Sequence, residues 1–439
     1  MVSPAQSLRR EVAGAIAALP INVKNVVDAL LRLQRDKQRL REVVTMALQI
    51  VRHFGEGRLL LRSELVRFFA DHAMFEAVFA NARSAPIVAP AMQTVPGLSA
   101  TCNLPRIPSL AELSSWLGLY DDELAAWTRT LRGDGARRDA RYRHYHEQWI
   151  PRRGAPPRLI EAPKSRLKEV QRRVAVGLLR HVPIHAAAHG FVRGRSVQSC
   201  VAPHVGSRCV LRMDLEDCFA SVGRGRVLRT FVNTGYPEDV SIELARLCTT
   251  ATPASELAGL VSRSEARAVR LREKLRVPHL PQGAPSSPGL MNLAAYRIDA
   301  RLTGLAKRFG AVYSRYGDDL IFSGDDHFRR DAVRCARYAA AILLEDRFDV
   351  AHHKTRIMCR SQAQRCLGLV VNERAALPRK ERQLLEAILY NCMRHGPETQ
   401  NHAGVADFEA HLRGRVAHAS QHGEAERLVS LLAQIRWSE

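Results

Sequence analysis

A short segment around position 317 constrains the fold of this chain more than any other part of its sequence. Tyr316-Gly317-Asp318-Asp319 lies between AVYSR and LIFSG, two runs that favour β-strands. A tight turn between two such runs predicts a β-hairpin with adjacent carboxylates at its tip. Aspartates also occur at turns for structural reasons alone, because the side chain bonds its own backbone. A second carboxylate is therefore needed before the pair is assigned to chemistry.

That second carboxylate is Asp214, which lies in VLRMDLEDCF about 100 residues upstream. The surrounding residues are apolar and β-forming, and a buried carboxylate is costly there unless it is paired or bound to a metal. In nucleotidyl transfer, two metal ions about 3.5–4 Å apart activate the attacking oxygen and stabilise the leaving one. Magnesium takes oxygen ligands from a few carboxylates and from substrate phosphates. One aspartate on a strand and two on a neighbouring hairpin therefore predict a two-metal polymerase site.

The charge of the chain indicates its partner. Sixty-six Lys and Arg residues against 44 Asp and Glu give a formal net charge of +22, which attracts nucleic acid or an anionic membrane. No apolar run approaches the roughly 20 residues that span a bilayer, so a membrane is not expected. The N-terminus lacks the layout of a signal peptide, and the nine cysteines form no C-x-x-C pair. We therefore expect a cytoplasmic protein with reduced thiols.

The order of apolar and β-forming runs divides the chain. NVKNVVDALLRLQRDKQRLREVVTMALQIVRHF has the apolar spacing of one long amphipathic helix, and a second helical stretch follows it. These helices are either an extension packed on the main body or a docking surface for a partner. Residues 84–107 have the composition of a linker. A short helix pair begins after Ser109, a predicted N-cap with Glu112 three residues on. Short strands and helices alternate from about residue 140, and the chain is helical again from about 378.

Three further segments suit a polymerase. LPQGAPSSP is a stiff turn before an apparent helix, and its backbone would lie under the incoming nucleotide; otherwise it is an ordinary start of a helix. RLIEAPKSRLKEVQRRV, residues 158–174, concentrates cations that would hold a triphosphate, unless it is a solvated basic helix. Lys354 would protonate the departing pyrophosphate, unless it is an ordinary surface lysine.

In this order the segments resemble the reverse transcriptases, and most closely the retron branch, over roughly residues 105–435. YSRYGDDLIFSG is similar to the family's strand–turn–strand signature, with Gly317 in place of the usual alanine. DLEDCFASV resembles its first metal motif, and LPQGAPSSP its template-and-nucleotide motif. HGFVRGRSV and PHVG are similar to the retron fingers region. Retron enzymes carry Asn-Ala-x-x-His where this chain keeps only His204, and Val-Thr-Gly where it has CLGLVVN. The N-terminal extension, PHVG and CLGLVVN look like the myxobacterial-type subgroup.

The resemblance implies an α+β right-hand polymerase with fingers, palm and a short helical thumb. It divides the chain into a helical extension (1–83), a linker (84–107), fingers and palm (108–375) and a thumb (376–439). It implies two Mg²⁺ ions, with Mn²⁺ as an alternative, and catalysis by the aspartates and Lys354. The implied metal ligands are Asp214, Leu215, Asp318 and Asp319. The implied nucleotide-binding residues are Arg158, Lys164, Phe219, Gln282 and Gly283. The implied RNA-binding residues are His204, Arg379, Lys380, Arg382 and Arg394.

The implied substrates are deoxynucleoside triphosphates and a cognate noncoding RNA that serves as template and primer. Synthesis would start from an internal guanosine 2′-hydroxyl and give branched RNA–DNA (msDNA), in anti-phage defence with an effector protein. Gly-Asp-Asp also occurs in viral RNA-dependent RNA polymerases. Phe219, five residues after Asp214, argues against them, because a bulky aromatic leaves no room for a ribose 2′-hydroxyl. Two more functions compete with a retron enzyme: a defence-associated reverse transcriptase outside the retrons, and an inactive RNA-binding protein.

Overall fold

The protein, described here by a computed structural model, divides into two compact units. The first unit comprises Met1–Pro183 and Asp217–Ala294, and the second comprises Ile184–Glu216 and Ala295–Glu439. Both contain helices and strands, which confirms the predicted α+β class. The described residues are 8–9, 12–13, 15–16, 21–33, 39–56, 60, 62–72, 75–79, 102–120, 123–124, 127, 144–152, 155–258, 260, 264–423 and 426–437.

Helices and strands alternate along most of the described chain. In chain order they are α1 (Val23–Leu33), α2 (Leu40–Phe54), α3 (Arg62–Ala70), α4 (Phe75–Phe79), α5 (Leu110–Leu117), β1 (Tyr145–Arg152), β2 (Ala155–Pro163), α6 (Ser165–Gly177), α7 (Val197–Val201), β3 (Cys209–Glu216), α8 (Arg224–Asn233), α9 (Glu238–Leu247), α10 (Ala254–Leu257), α11 (Glu265–Arg276), α12 (Ser287–Ala294), α13 (Tyr296–Arg308), β4 (Ala311–Tyr316), β5 (Asp319–Gly324), α14 (Asp326–Glu345), β6 (Asp349–Val350), β7 (Arg356–Cys359), β8 (Arg365–Cys366), β9 (Leu369–Val370), α15 (Arg379–His395), α16 (Phe408–Ser420) and α17 (Glu426–Gln434).

The N-terminal helices of the first unit share an apolar core of their own. α1 and α2 pack against each other, so the predicted single long helix is wrong. Residues 34–38, between the two helices, lie outside the described residues. The apolar spacing continues across both helices because both bury one face in the same core. An ion pair between Glu64 of α3 and Arg229 of α8 joins these helices to the rest of the first unit.

The predicted capping signal at Ser109 is confirmed. The Ser109 hydroxyl oxygen accepts a hydrogen bond from the Glu112 N–H at 3.3 Å and starts α5. Most of the predicted linker 84–107, and most of the second helix of the predicted pair, lie outside the described residues. Further on, the segment 158–174 is not one basic helix. It comprises the end of the β1–β2 hairpin and most of α6.

The second unit is built on an antiparallel sheet with β3 at its centre. β5 pairs with one edge of β3, β7 and β6 pair with different parts of the other edge, and β4 pairs with β5. The predicted strands around Asp214 and on both sides of the Gly317 turn are thereby confirmed. CLGLVVNE, a further run that favours β-structure, forms parts of two short strands rather than one strand, because Leu367 and Gly368 have φ of 51° and 84° and turn the chain between β8 and β9.

The C-terminal helices are confirmed by α15, α16 and α17, which enclose a separate apolar core in the second unit. Among the described residues, none of the helices has the length and apolar character needed to cross a bilayer. The predicted boundaries between extension, linker, fingers, palm and thumb stay a prediction.

Candidate active site

The β-sheet of the second unit brings the three predicted metal-binding aspartates together. Asp214 near the end of β3 and Asp319 at the start of β5 are direct cross-strand partners. Directly opposed residues of antiparallel strands place their Cβ atoms about 4.5–5.5 Å apart on one face of the sheet. Asp318 is in the turn, and its carbonyl accepts a hydrogen bond from the Leu215 N–H at 2.9 Å. The strand register therefore forms the carboxylate cluster predicted from the sequence.

Lys354 lies at this cluster, as predicted. Its Nζ donates to Oδ1 and Oδ2 of Asp214 at 2.8 and 2.9 Å. The position follows from the backbone, because the Ala351 N–H donates to the Asp214 carbonyl at 2.8 Å and a 3₁₀ turn, His352–Lys354, comes next. The Asp214 side chain is 8% exposed and that of Lys354 is 38% exposed. The ammonium group thus neutralises a nearly buried carboxylate while one side of it still faces solvent.

Arg212 belongs to the site but was not predicted. Its Nε lies 3.5 Å from Oδ1 of Asp319. The available signal was the alternation of a β-strand, because Arg212 precedes Asp214 by two residues and shares its face. Burial is the main cause that raises the pKa of Asp319 to about 6. Arg212 opposes this shift, whereas the negative charges of Asp318 and Asp214 add to it.

The donor chemistry of the cluster fits a hard divalent cation. Within the described part of the chain, no group of three or more His, Cys, Asp or Glu side chains is arranged as a preformed metal site. Burial is the main cause of the raised pKa of Asp319, and the neighbouring charges of Asp318 and Asp214 raise it further, which a bound cation would offset. Asp214 already binds the cationic group of Lys354. Asp214, Asp318 and Asp319 would supply oxygen ligands. Leu215 has no ligating atom in its buried side chain, so only its backbone carbonyl could contribute.

The turn that carries Asp318 is held from beneath by a buried ion pair. Arg315 donates from Nε and Nη2 to the two carboxylate oxygens of Asp299 at 2.8 and 2.7 Å. Its Nη1 donates to the Gly317 carbonyl at 3.1 Å. Arg315 is 1% exposed and Asp299 is fully buried. Gly317 has φ of 61°, a conformation that glycine adopts without strain, which gives a physical reason for glycine at this position.

In the first unit, the LPQGAPSSP turn lies against β2. The Gln282 carbonyl accepts a hydrogen bond from the Glu161 N–H at 2.8 Å. A Cβ atom on Gly283, whose φ is 125°, would lie 3.2 Å from the Glu161 carbonyl oxygen. The buried Glu161 carboxylate contacts His279 Nε2 at 3.0 Å and accepts from the Thr252 hydroxyl at 2.8 Å. This network fixes the turn next to the strand that carries Arg158, and no pattern in the sequence predicts it.

Residues 150–371, about half of the chain, match the family described as "Reverse transcriptase (RNA-dependent DNA polymerase)". The match includes the three aspartates and Lys354. This chain belongs to the reverse transcriptase family.

The similar proteins indicate which branch of the family this chain resembles. This chain is 41% identical to the retron Mx65 reverse transcriptase of Myxococcus xanthus over 295 residues, which are 66% of this chain and 64% of that one. It is 36% identical to the retron Mx162 reverse transcriptase of the same organism over 289 residues, 60% and 57% of the two chains. The retron Ec86 reverse transcriptase of Escherichia coli is 27% identical over 256 residues, 58% and 70% of the two chains. The predicted resemblance to myxobacterial-type retron enzymes is confirmed. The chain spans less than two thirds of the length of the two Myxococcus relatives.

The structure corrects the prediction that His204 of this reverse transcriptase contacts RNA. The His204 side chain is fully buried. Its Nδ1 is 2.7 Å from the Ser323 hydroxyl and its Nε2 is 2.6 Å from the Ser314 hydroxyl. Burial lowers its pKa to about 4. The histidine joins β4 and β5 beneath the site and has no surface to offer to RNA.

The other predicted contact residues of the reverse transcriptase have surface available. Arg158 is exposed on β2, Lys164 is half-buried immediately before α6, and Phe219 is half-buried in the turn after β3. These three residues belong to the first unit. In the second unit, α15 carries the predicted thumb cations, of which Arg382 is half-buried and three are exposed: Arg379, Lys380 and Arg394. Their contacts with nucleotide or RNA stay predictions.

Proposed function

We propose that this reverse transcriptase is the RNA-directed DNA polymerase of a retron. In this proposal it copies a cognate structured noncoding RNA into branched msDNA, with an effector protein in anti-phage defence. The observation that carries the polymerase activity is the cross-strand pairing of Asp214 with Asp319, beside Asp318 and Lys354. The retron assignment is supported by the similarity to retron reverse transcriptases.

The carboxylates of Asp214, Asp318 and Asp319 would hold two Mg²⁺ or Mn²⁺ ions. Divalent ions bound there would activate the attacking hydroxyl and stabilise the leaving phosphate oxygens. The buried pair Arg315–Asp299 holds the turn in place, so the carboxylates need little reorganisation before reaction. Lys354 pairs with the Asp214 carboxylate, and part of the Lys354 side chain faces solvent. Its ammonium group can therefore hold a proton close to the departing pyrophosphate.

DNA rather than RNA is the proposed product. Phe219 is half-buried in the turn after β3. A ring beside the nucleotide sugar would exclude a 2′-hydroxyl by its volume. A backbone turn at Gln282 and Gly283, braced by Glu161, would support the incoming deoxynucleotide. Arg158 and Lys164 would contribute the charge that binds its triphosphate.

The basic start of α15 supports RNA binding by the C-terminal helices. Arg379 and Lys380 occupy the first turn of that helix. Cations at a helix N-terminus are opposed by the helix dipole, so they are not placed there to stabilise the helix. Contact with RNA phosphates would use their charge. The alternative, that these cations only keep a surface helix soluble, predicts no effect of their removal on RNA affinity.

Sequencing the nucleic acid that co-purifies with the protein from its host tests the retron assignment. We expect one structured RNA, encoded close to the gene of this protein, with DNA joined to an internal guanosine through its 2′-oxygen. The Asp319→Asn variant is the matched control and should carry the same RNA without DNA. DNA without a cognate RNA would favour a reverse transcriptase outside the retrons. An RNA product would favour an RNA-dependent RNA polymerase, and bound RNA without any product would favour an inactive binding protein.

A further inference from the structure

An exposed aromatic ring lies beside the turn that carries the catalytic aspartates. Phe191 is 55% exposed, although it is a large apolar side chain. Its backbone φ is 62°, in the left-handed region that is sterically disfavoured for a residue with a bulky side chain. An exposed ring gains little from burial, so core packing does not explain why this residue occupies a strained position.

The segment around Phe191 is held in place on several sides within the second unit. The backbone N–H groups of His189 and Arg315 donate to the carbonyls of Arg315 and Ala187, each at 2.7 Å. The Arg195 guanidinium donates to the carbonyls of His185, Ala186 and Ala188. Strained conformations persist where the surroundings determine them in this way, and they occur frequently at functional sites.

Gly190 brings this segment into direct contact with the catalytic turn. A Cβ atom on Gly190 would lie 2.5 Å from the Gly317 nitrogen and 3.1 Å from the Tyr316 carbonyl carbon. The Phe191 ring centroid lies 6.4 Å from that of Tyr316. A Cβ atom on Gly317 would lie 3.4 Å from the Phe191 ring. The Phe191 ring therefore lies against Gly317, the residue that precedes Asp318, and about half of the Phe191 surface is exposed to solvent.

We propose that Phe191 binds the 3′-terminal nucleotide of the growing strand through its ring. This inference rests on the proposed polymerase function, which requires the terminal hydroxyl to reach Asp318 and Asp319. Bases pack on aromatic rings without sequence preference, which suits a contact that every newly added nucleotide must make in turn. Arg193, exposed two residues further on, provides positive charge for the backbone of the same strand. Because the segment around Phe191 is fixed, the ring would hold the 3′ end of the growing nucleic-acid strand at a defined position relative to the carboxylates.

A binding measurement on three variants tests the proposal. The probe is an RNA template annealed to a fluorescent DNA primer, titrated in fluorescence anisotropy without deoxynucleotides. We expect Phe191→Ala to weaken binding about tenfold, which corresponds to about 1.4 kcal/mol and is typical of a lost base–aromatic contact. Phe191→Tyr keeps the ring and should bind as the wild type does. Tyr338→Ala is the matched control, because Tyr338 is 54% exposed on α14 of the same unit, and it should leave binding unchanged.

The position of the contact is tested with an abasic residue in the primer. An abasic 3′-terminal residue should weaken binding to the wild type and abolish the difference between wild type and Phe191→Ala. An abasic residue five positions upstream should leave that difference unchanged. A Phe191→Ala variant that binds as the wild type does would overturn the proposal, as would a difference that persists on the terminally abasic primer. A rise in KM for the deoxynucleotide without any change in primer affinity would assign Phe191 to the incoming nucleotide and also overturn it.

Failure of this proposal is distinguishable from failure of the proposed function. If the wild type extends the primer with deoxynucleotides and Phe191→Ala binds normally, only the role of Phe191 is refuted. If the wild type extends no primer, the polymerase function is refuted as well. Phe191→Ala removes little buried surface, so its thermal unfolding should match that of the wild type. If that variant unfolds, the abasic series on the wild type still decides whether the terminal base is contacted, and Phe191→Tyr must retain that contact.

Discussion

Removing Asp299 alone should lower the free energy of unfolding. Removing the whole ion-pair network should leave the stability nearly unchanged and lower kcat. The Asp299→Ala variant leaves Arg315, which is 1% exposed, as a buried charge without its bidentate partner. Breaking a buried ion pair from one side typically costs about 3–5 kcal/mol of unfolding free energy. The Tyr313 hydroxyl, which donates to Asp299 at 2.9 Å, loses its acceptor as well. We expect a loss of about 4 kcal/mol in urea or thermal unfolding.

The triple variant Asp299→Leu, Arg315→Met and Tyr313→Phe removes the charges and the hydroxyl together. Replacing a buried ion pair by apolar side chains of similar volume is often neutral for stability, so most of the lost free energy should return. The hydrogen bond from Arg315 to the Gly317 carbonyl does not return. A bond from a charged donor contributes about 1.5–3 kcal/mol. If that amount fixes the catalytic turn, kcat falls by roughly 10- to 150-fold.

Unfolding curves and single-nucleotide incorporation on the same preparations separate the two effects. A stable triple variant with wild-type kcat would refute the claim that Arg315 positions the turn. Breaking the buried pair should lower the free energy of unfolding by several kcal/mol. A decrease of less than about 1 kcal/mol in the Asp299→Ala variant would refute this energetic argument.

Three further predictions concern the sugar, the RNA and pH. Phe219→Val should raise the ratio of ribonucleotide to deoxynucleotide incorporation with little loss of deoxynucleotide use, and an unchanged ratio would remove the sugar-selection role. Replacing the four thumb cations by Gln should weaken binding of the cognate RNA and reduce the slope of log affinity against log salt by up to about 0.7–0.9 per lost phosphate contact. The matched control replaces four exposed arginines of α14: Arg329, Arg330, Arg334 and Arg337. Equal effects of both sets on RNA affinity would mean that the cations of α15 act only through the net charge of the protein. Because the unfolded chain protonates His204 near pH 6.5 and the folded chain only near pH 4, the free energy of unfolding should fall by roughly 3 kcal/mol as pH drops between these values. His204→Gln should lack this component, and equal pH dependence of the two proteins would contradict the buried neutral histidine.

The hairpin around Gly317 can be predicted from the sequence, because its signals are local. Two β-forming runs around Gly317 and an apolar run around Asp214 predict three strands. Because a hard divalent cation needs several carboxylate ligands, the three aspartates are then expected to lie close together. Strand alternation places Arg212 on the same face as Asp214, but it does not reveal a partner for this cation, because Asp319 comes next to it only when the partner strand pairs. Arg315 was missed for the same reason, since its partner Asp299 lies on a helix and the two meet only through tertiary packing.

Two errors have related physical causes. Apolar periodicity indicates which face of a helix is buried and not where the helix ends, so it predicts one helix where the structure has α1 and α2. The prediction that His204 contacts RNA rests on a family resemblance, which matches residue types and does not show whether a side chain is buried. The side chain is fully buried, and its hydrogen-bond partners Ser314 and Ser323 lie more than 100 residues away in the sequence.

The most direct test of the account is deoxynucleotide incorporation on an RNA template by the purified protein, with and without magnesium. Variants Asp214→Asn, Asp318→Asn and Asp319→Asn are compared with the wild type, and RNA binding and thermal unfolding are measured in parallel. Removing a carboxylate removes metal affinity, so each variant should lose DNA synthesis while it keeps its fold and nearly all of its RNA affinity. The wild type should stop when a chelator removes magnesium. Full DNA synthesis by any of the three variants, or by the wild type without divalent ions, would contradict the account.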